Sequence, residues 1–113
     1  MNDLEICKRV SEIGLTEKYP KCTIEFDEQQ NCFWVADNFM FSSWPLLKPL
    51  EDDGLCFRLM LKYKIVLEFS HKDEYGVKFY EATINESWGF AQVFSEDPRK
   101  AVALAIIELK EGE

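Results

Sequence analysis

The sequence predicts an α+β domain, an antiparallel sheet covered by helices in the order α-β-β-α-β-β-β-α. Three observations carry this reading. Several short runs alternate apolar and polar residues with the period of two that a half-buried strand requires, the first beginning "CTIEF" at Cys22. Both ends of the chain instead space their apolar residues at three and four. Within each group the strand-like runs are joined by the short polar turns "DEQQN", "SHKDEYG" and "NES", which favours antiparallel pairing.

Asn2 is placed to cap the first helix with Glu5 at the capping-box position, and Ile6, Val10 and Ile13 then share one face. Gly14 is the expected stop, with Leu15 as the apolar residue beyond it. After the turn "TEKYPK", Cys22, Ile24 and Phe26 alternate with Thr23, Glu25 and Asp27 in a first strand. The turn "DEQQN" leads to a second, Cys32 to Ala36, with Phe33 and Val35 on one side and Cys32 and Trp34 on the other.

Pro45 suits the first turn of a helix capped by Ser42 or Ser43, and Leu46, Leu47 and Leu50 follow at near-helical spacing. The segment "GLCFRLMLKY", Gly54 to Tyr63, is also assigned to helix. Ile65, Leu67 and Phe69 then alternate with Val66, Glu68 and Ser70, the turn "SHKDEYG" follows, and "VKFYEATI" completes a hairpin. "NES" is the next turn. "WGFAQVF" gives a third strand with Trp88, Phe90, Gln92 and Phe94 on one face. Asp97 caps the last helix, Pro98 opens it, and Val102, Ala105, Ile106 and Leu109 form its apolar stripe. Ala101, Ala103 and Ala105 let that helix lie close to a sheet.

At 113 residues, with 47% hydrophobic and 14% aromatic residues, the chain is expected to be a single globular domain spanning 1–113. No apolar run is long enough to cross a bilayer, and "MNDLEICKRV" places acids where a signal peptide has basic residues, so a cytoplasmic protein is expected. Cys7, Cys22, Cys32 and Cys56 are 15, 10 and 24 residues apart, without a C-x-x-C pair, and are expected to be reduced thiols.

These pieces resemble the phage ABA sandwich family, small phage accessory proteins with an α/β/α layered domain. The resemblance is carried by "FSSWPLLKPLEDDG", "YKIVLEF", "YEATI" and "DPRKAVALAIIEL", and covers about the last two-thirds of the chain. "CTIEF" and "CFWVA" have no counterpart in it. It implies a phage or prophage origin and no catalytic residues.

The residues themselves offer no catalytic apparatus. His71 is the only histidine and falls in the expected turn "SHKDEY". No G-x-G-x-x-G, P-loop or H-E-x-x-H occurs, so no cofactor is expected. Glu51, Asp52 and Asp53 are adjacent, whereas calcium loops space their carboxylates, so no metal is expected either. The chain is expected to be no enzyme.

Net charge is −8, which opposes direct binding of nucleic acid. The stretch "NCFWVADNFMFSSW" concentrates aromatics, yet no basic residue stands between Gln29 and Leu47 to neutralise a phosphate backbone beside stacked bases. Core packing and contact with a protein remain as roles for these rings. The expected partner is a host protein with a basic, nucleic-acid-binding surface, and the expected role is inhibition of a host defence system such as CRISPR. The expected contact residues are Phe41 and Trp44 with the acidic clusters Glu51-Asp52-Asp53, Asp73-Glu74 and Glu96-Asp97. The alternative is a small ligand-binding or enzymatic domain with a pocket beside residues 33–44.

Overall fold

The computed structural model describes residues 1–72, 76 and 78–111, with the side chains of residues 70–72 left aside. Its element order is α-β-β-β-α-β-β-β-α: α1 (Asp3–Lys18), β1 (Thr23–Asp27), β2 (Cys32–Ala36), β3 (Phe41–Pro45), α2 (Asp53–Tyr63), β4 (Val66–Lys72), β5 (Lys78–Glu86), β6 (Gly89–Ser95) and α3 (Pro98–Glu111). This is the α+β class, with two three-stranded antiparallel sheets in the orders β1-β2-β3 and β4-β5-β6. The chain forms two compact units, Met1–Leu47 and Lys48–Glu113.

In the first unit, Asn2 caps α1 by accepting a hydrogen bond from the Glu5 amide at 2.8 Å. The helix does not stop at Gly14 but continues to Lys18. Leu15 explains this. It is buried with Ile6, Val10 and Ile13, and burying a leucine is worth roughly 1.5–3 kcal/mol against about 1 kcal/mol for a helical glycine. Lys8 lies over Phe26 at 4.3 Å and Lys18 over Trp44 at 4.4 Å, which sets α1 on the sheet face carrying those rings. The buried Ser11 hydroxyl accepts from the Leu47 amide at 2.9 Å and ties the end of the sheet segment to the helix.

The helix expected from Pro45 is instead the end of a third strand. Asp37 folds the preceding turn, its Oδ1 accepting from the amides of Phe39 and Met40 at 2.7 Å each. Phe41 then pairs with Ala36 and Pro45 with Cys32, so Ser42 and Ser43 are strand residues rather than caps. Proline is tolerated because β3 is an edge strand and Pro45 is its last residue. Pro49 disfavours helical geometry at Lys48, and residues 48–52 form a turn with the amides of Glu51 and Asp52 on the Lys48 carbonyl.

In the second unit, α2 occupies the expected segment and ends at Lys64, which takes the left-handed conformation at φ 54°. Strand β4 continues through the backbone of His71, which was expected in a turn, with an irregularity between Phe69 and His71. β5 runs through Asn85 and Glu86, so the turn is at Ser87 and Trp88 instead of at "NES". α3 packs on β5 and β6, burying Ala101, Val102, Ala105 and Ile106 completely. Gly89 permits this approach, because a Cβ there would collide with the Leu109 side chain.

Candidate protein-contact faces

Each sheet has one face toward a helix and one open face, and alternation decides which rings go where. In the first sheet, Phe33 pairs with Phe26 and Trp44, which puts those three rings on the α1 side. Phe26 and Phe33 are 5.0 Å apart between centroids, and Trp44 meets Tyr19 at 5.7 Å. Trp34 pairs with Glu25 and Ser43 on the opposite, open face.

There Trp34 stacks on Phe41, with centroids 4.9 Å apart and planes 9° from parallel. Its indole Nε1 donates to Asp27 Oδ2 at 3.1 Å, which fixes the ring. Phe41 remains 72% exposed, and Phe39 in the adjoining turn is 98% exposed. Such rings at the end of an apolar stack are the kind of surface that a partner covers.

The charge around them has one sign. Between Thr23 and Pro45 there is no lysine or arginine, while Glu25, Asp27, Glu28 and Asp37 are all acidic. The Trp34 indole, followed by the Gln30 and Gln29 amides, holds the Asp27 carboxyl below its ordinary value. The Phe39 and Met40 amides do the same for Asp37. Both groups therefore keep their charge in mildly acidic solution.

The expected contact residues divide. Phe41 is exposed on the open face, whereas Trp44 is half-buried on the helix-facing side under Lys18, so the two do not form one anchor. Asp52 and Asp97 are helix caps: Asp52 Oδ1 accepts from the Leu55 amide at 3.0 Å, and Asp97 Oδ1 from the Arg99 amide at 2.9 Å. Arg99 also bridges the two clusters, reaching Asp53 at 3.5 Å and Asp97 at 3.7 Å. Glu51 and Glu96 are exposed. Asp73 and Glu74 lie outside the described residues.

In the second sheet, the face expected to carry Trp88, Phe90, Gln92 and Phe94 exists for the last three, all exposed on the open side, whereas Trp88 lies in the turn before β6. The small residues between them, Ala91 above all, face α3. Sequence reasoning passed over Trp34 as a contact residue, while Phe39 belongs to the connection whose rings were expected to remain for a partner. The signal for Trp34 was the alternation already noted, since Phe33 and Val35 claim the core side.

All four cysteines are free thiols. Burial pushes the Cys56 thiol above its ordinary value, with Asp53 adding to the effect. Partial burial and then the Asp37 charge, 3.8 Å away, do so for Cys22. Neither environment favours a nucleophilic thiolate. Among the described residues, no group of three or more metal-ligating side chains is placed to hold an ion, and no helix is long and apolar enough to cross a membrane. Comparison with protein-family models, curated proteins and solved structures returns no match.

Proposed function

We propose that the chain is a non-enzymatic binding protein whose open β1-β2-β3 face receives a basic surface of a partner protein. The observation that carries this reading is the Trp34–Phe41 stack, extended by the exposed Phe39, in a sheet segment whose only charges are negative. The rings supply apolar area to bury, and the carboxylates select a cationic partner and speed its approach.

A basic surface with apolar gaps is the kind that proteins use to hold nucleic acid. Together with the resemblance to phage accessory proteins, this supports a role as a phage or prophage inhibitor that occupies such a surface on a host defence protein. The acidic caps Asp52 and Asp97 contribute to the overall field, but their first task is structural.

The test compares wild type with Phe39→Ser and Phe41→Ser in capture from a bacterial lysate at low and high salt. Wild type is expected to enrich a basic protein, less so at high salt. Phe41→Ser is expected to reduce its recovery about tenfold while circular dichroism stays unchanged. Equal recovery by wild type and both variants refutes the assignment.

A further inference from the structure

Helix α2 turns Cys56, Leu59 and Tyr63 inward, yet its outer side is far from wholly polar. Phe57 is 59% exposed and Leu61 64%, and their spacing of four makes them neighbours on the helix surface. Arg58, three residues before Leu61, shares that side, and Lys64 stands at its C-terminal end; both are exposed. From Gly54 to Leu67 every charge is positive, in a chain whose net charge is −8. Among the described residues, neither Arg58 nor Lys64 belongs to an ion pair.

An acidic surface with exposed rings would cover such a helix side, and the chain itself carries one. On the open face of β1-β2-β3, Glu25 lies directly opposite Trp34, and the Trp34–Phe41 stack leaves Phe41 exposed. Glu25, like Arg58, belongs to no ion pair among the described residues. The two surfaces match in charge and in kind. A guanidinium stacks on an aromatic face and forms paired hydrogen bonds to a carboxylate, so Arg58 is suited to Trp34 and Glu25 together, while Phe57 and Leu61 are suited to Phe41.

We propose that α2 of one copy docks on the open β1-β2-β3 face of a second copy. The contact joins two different patches, so every copy offers one of each. It rests on the reading that this face takes a basic surface, and adds what covers the face when no other partner is bound. The net charge opposes approach from a distance, but at about 0.15 M salt the Debye length is about 8 Å, which screens that repulsion while weakening partly buried ion pairs much less.

Sedimentation velocity of the full chain over a range of concentrations at that salt, with amide chemical shifts followed on dilution, tests the pairing. Wild type is expected to associate, with shifts at Glu25, Trp34 and Phe41 and at Phe57, Arg58 and Leu61 together. Arg58→Glu and Phe41→Ser are each expected to weaken association about tenfold, whereas Lys78→Glu, the same change of charge on β5, weakens it about twofold. Arg58→Glu places an acid four residues before Lys62, a favourable spacing that keeps α2 helical, and circular dichroism checks this. Mixing Arg58→Glu with Phe41→Ser in equal amounts is expected to restore association, because the first keeps an intact sheet face and the second an intact helix.

A wild type that stays monomeric, an association that Arg58→Glu or Phe41→Ser leaves intact, or two variants that stay apart when mixed overturns the proposal. Lysate capture separates it from the reading of the face itself, because Arg58→Glu leaves that face unaltered and is expected to recover the basic partner at least as well as wild type. Capture without self-association counts against α2 alone, and self-association without capture counts against the partner protein alone.

Discussion

Replacing Asp52 by asparagine and by alanine separates the bonding role of the Glu51-Asp52-Asp53 cluster from its charge. Asp52 Oδ1 accepts from the Leu55 amide at 3.0 Å, satisfying one of the donors that the first turn of α2 leaves without an intrahelical partner. Alanine deletes that acceptor, and loss of such a cap costs about 1 kcal/mol. For a chain of 113 residues this corresponds to a fall in Tm of about 5 °C. Asparagine caps about as well as aspartate, so Asp52→Asn loses only the interaction of the charge with the helix end, about 0.3–1 kcal/mol at an exposed site. The expected order of Tm is therefore wild type, Asp52→Asn, then Asp52→Ala, measured by thermal circular dichroism at low salt. Raising the salt should close the gap between wild type and Asn but not the gap between Asn and Ala, because only the former is electrostatic. An asparagine variant as unstable as the alanine variant would refute the capping argument, and so would an alanine variant as stable as wild type.

Two further outcomes follow from the burial and the proton equilibria. Ala105 is fully buried in α3, so Ala105→Asp places an unpaired charge against the packed side of the helix and is expected to abolish cooperative unfolding; a variant melting within a few degrees of wild type would remove α3 from the core. The Asp27 carboxyl is held below its ordinary value of 3.8, so its stabilising contribution is present above that pH and is lost as pH falls through the lower folded-state value. Asp27→Asn should therefore melt below wild type at neutral pH, with the difference shrinking below about pH 4; a difference constant down to pH 3 would show that the charge is not what matters.

What the sequence made legible was local. Asn2, Asp97 and Pro98 announce helix starts through chemistry complete within a few residues, and the alternation around Phe33 and Val35 follows from the strand period alone. The misreadings at Gly14 and Pro45 share a different cause. Each residue carries a local preference to break or begin a helix, and each was overruled by contacts that local spacing does not disclose. Leu15 gains burial that outweighs the glycine, and the Asp37 turn returns the chain along β2 before Pro45 arrives.

The faces were harder still, because alternation gives two sets of residues without saying which set meets a helix. In β6 the large residues Phe90 and Phe94 would win the core on hydrophobicity alone, yet Ala91 takes it. The reason lies in α3. A helix lined by Ala101 and Ala105 lies close to its sheet, and Gly89, occupied from above by Leu109, shows how little space is left beneath it. Bulky rings do not fit in that gap and are displaced to the other side. The close packing of α3 thus determines two properties at once: it seals the core with small residues, and it leaves Phe90 and Phe94 beside the opposed Glu68 and Glu81 on the open face. An aromatic and acidic surface on this chain is therefore a consequence of how its core is closed, and enlarging Ala91 would be expected to disturb α3 before it altered any contact made by the opposite face.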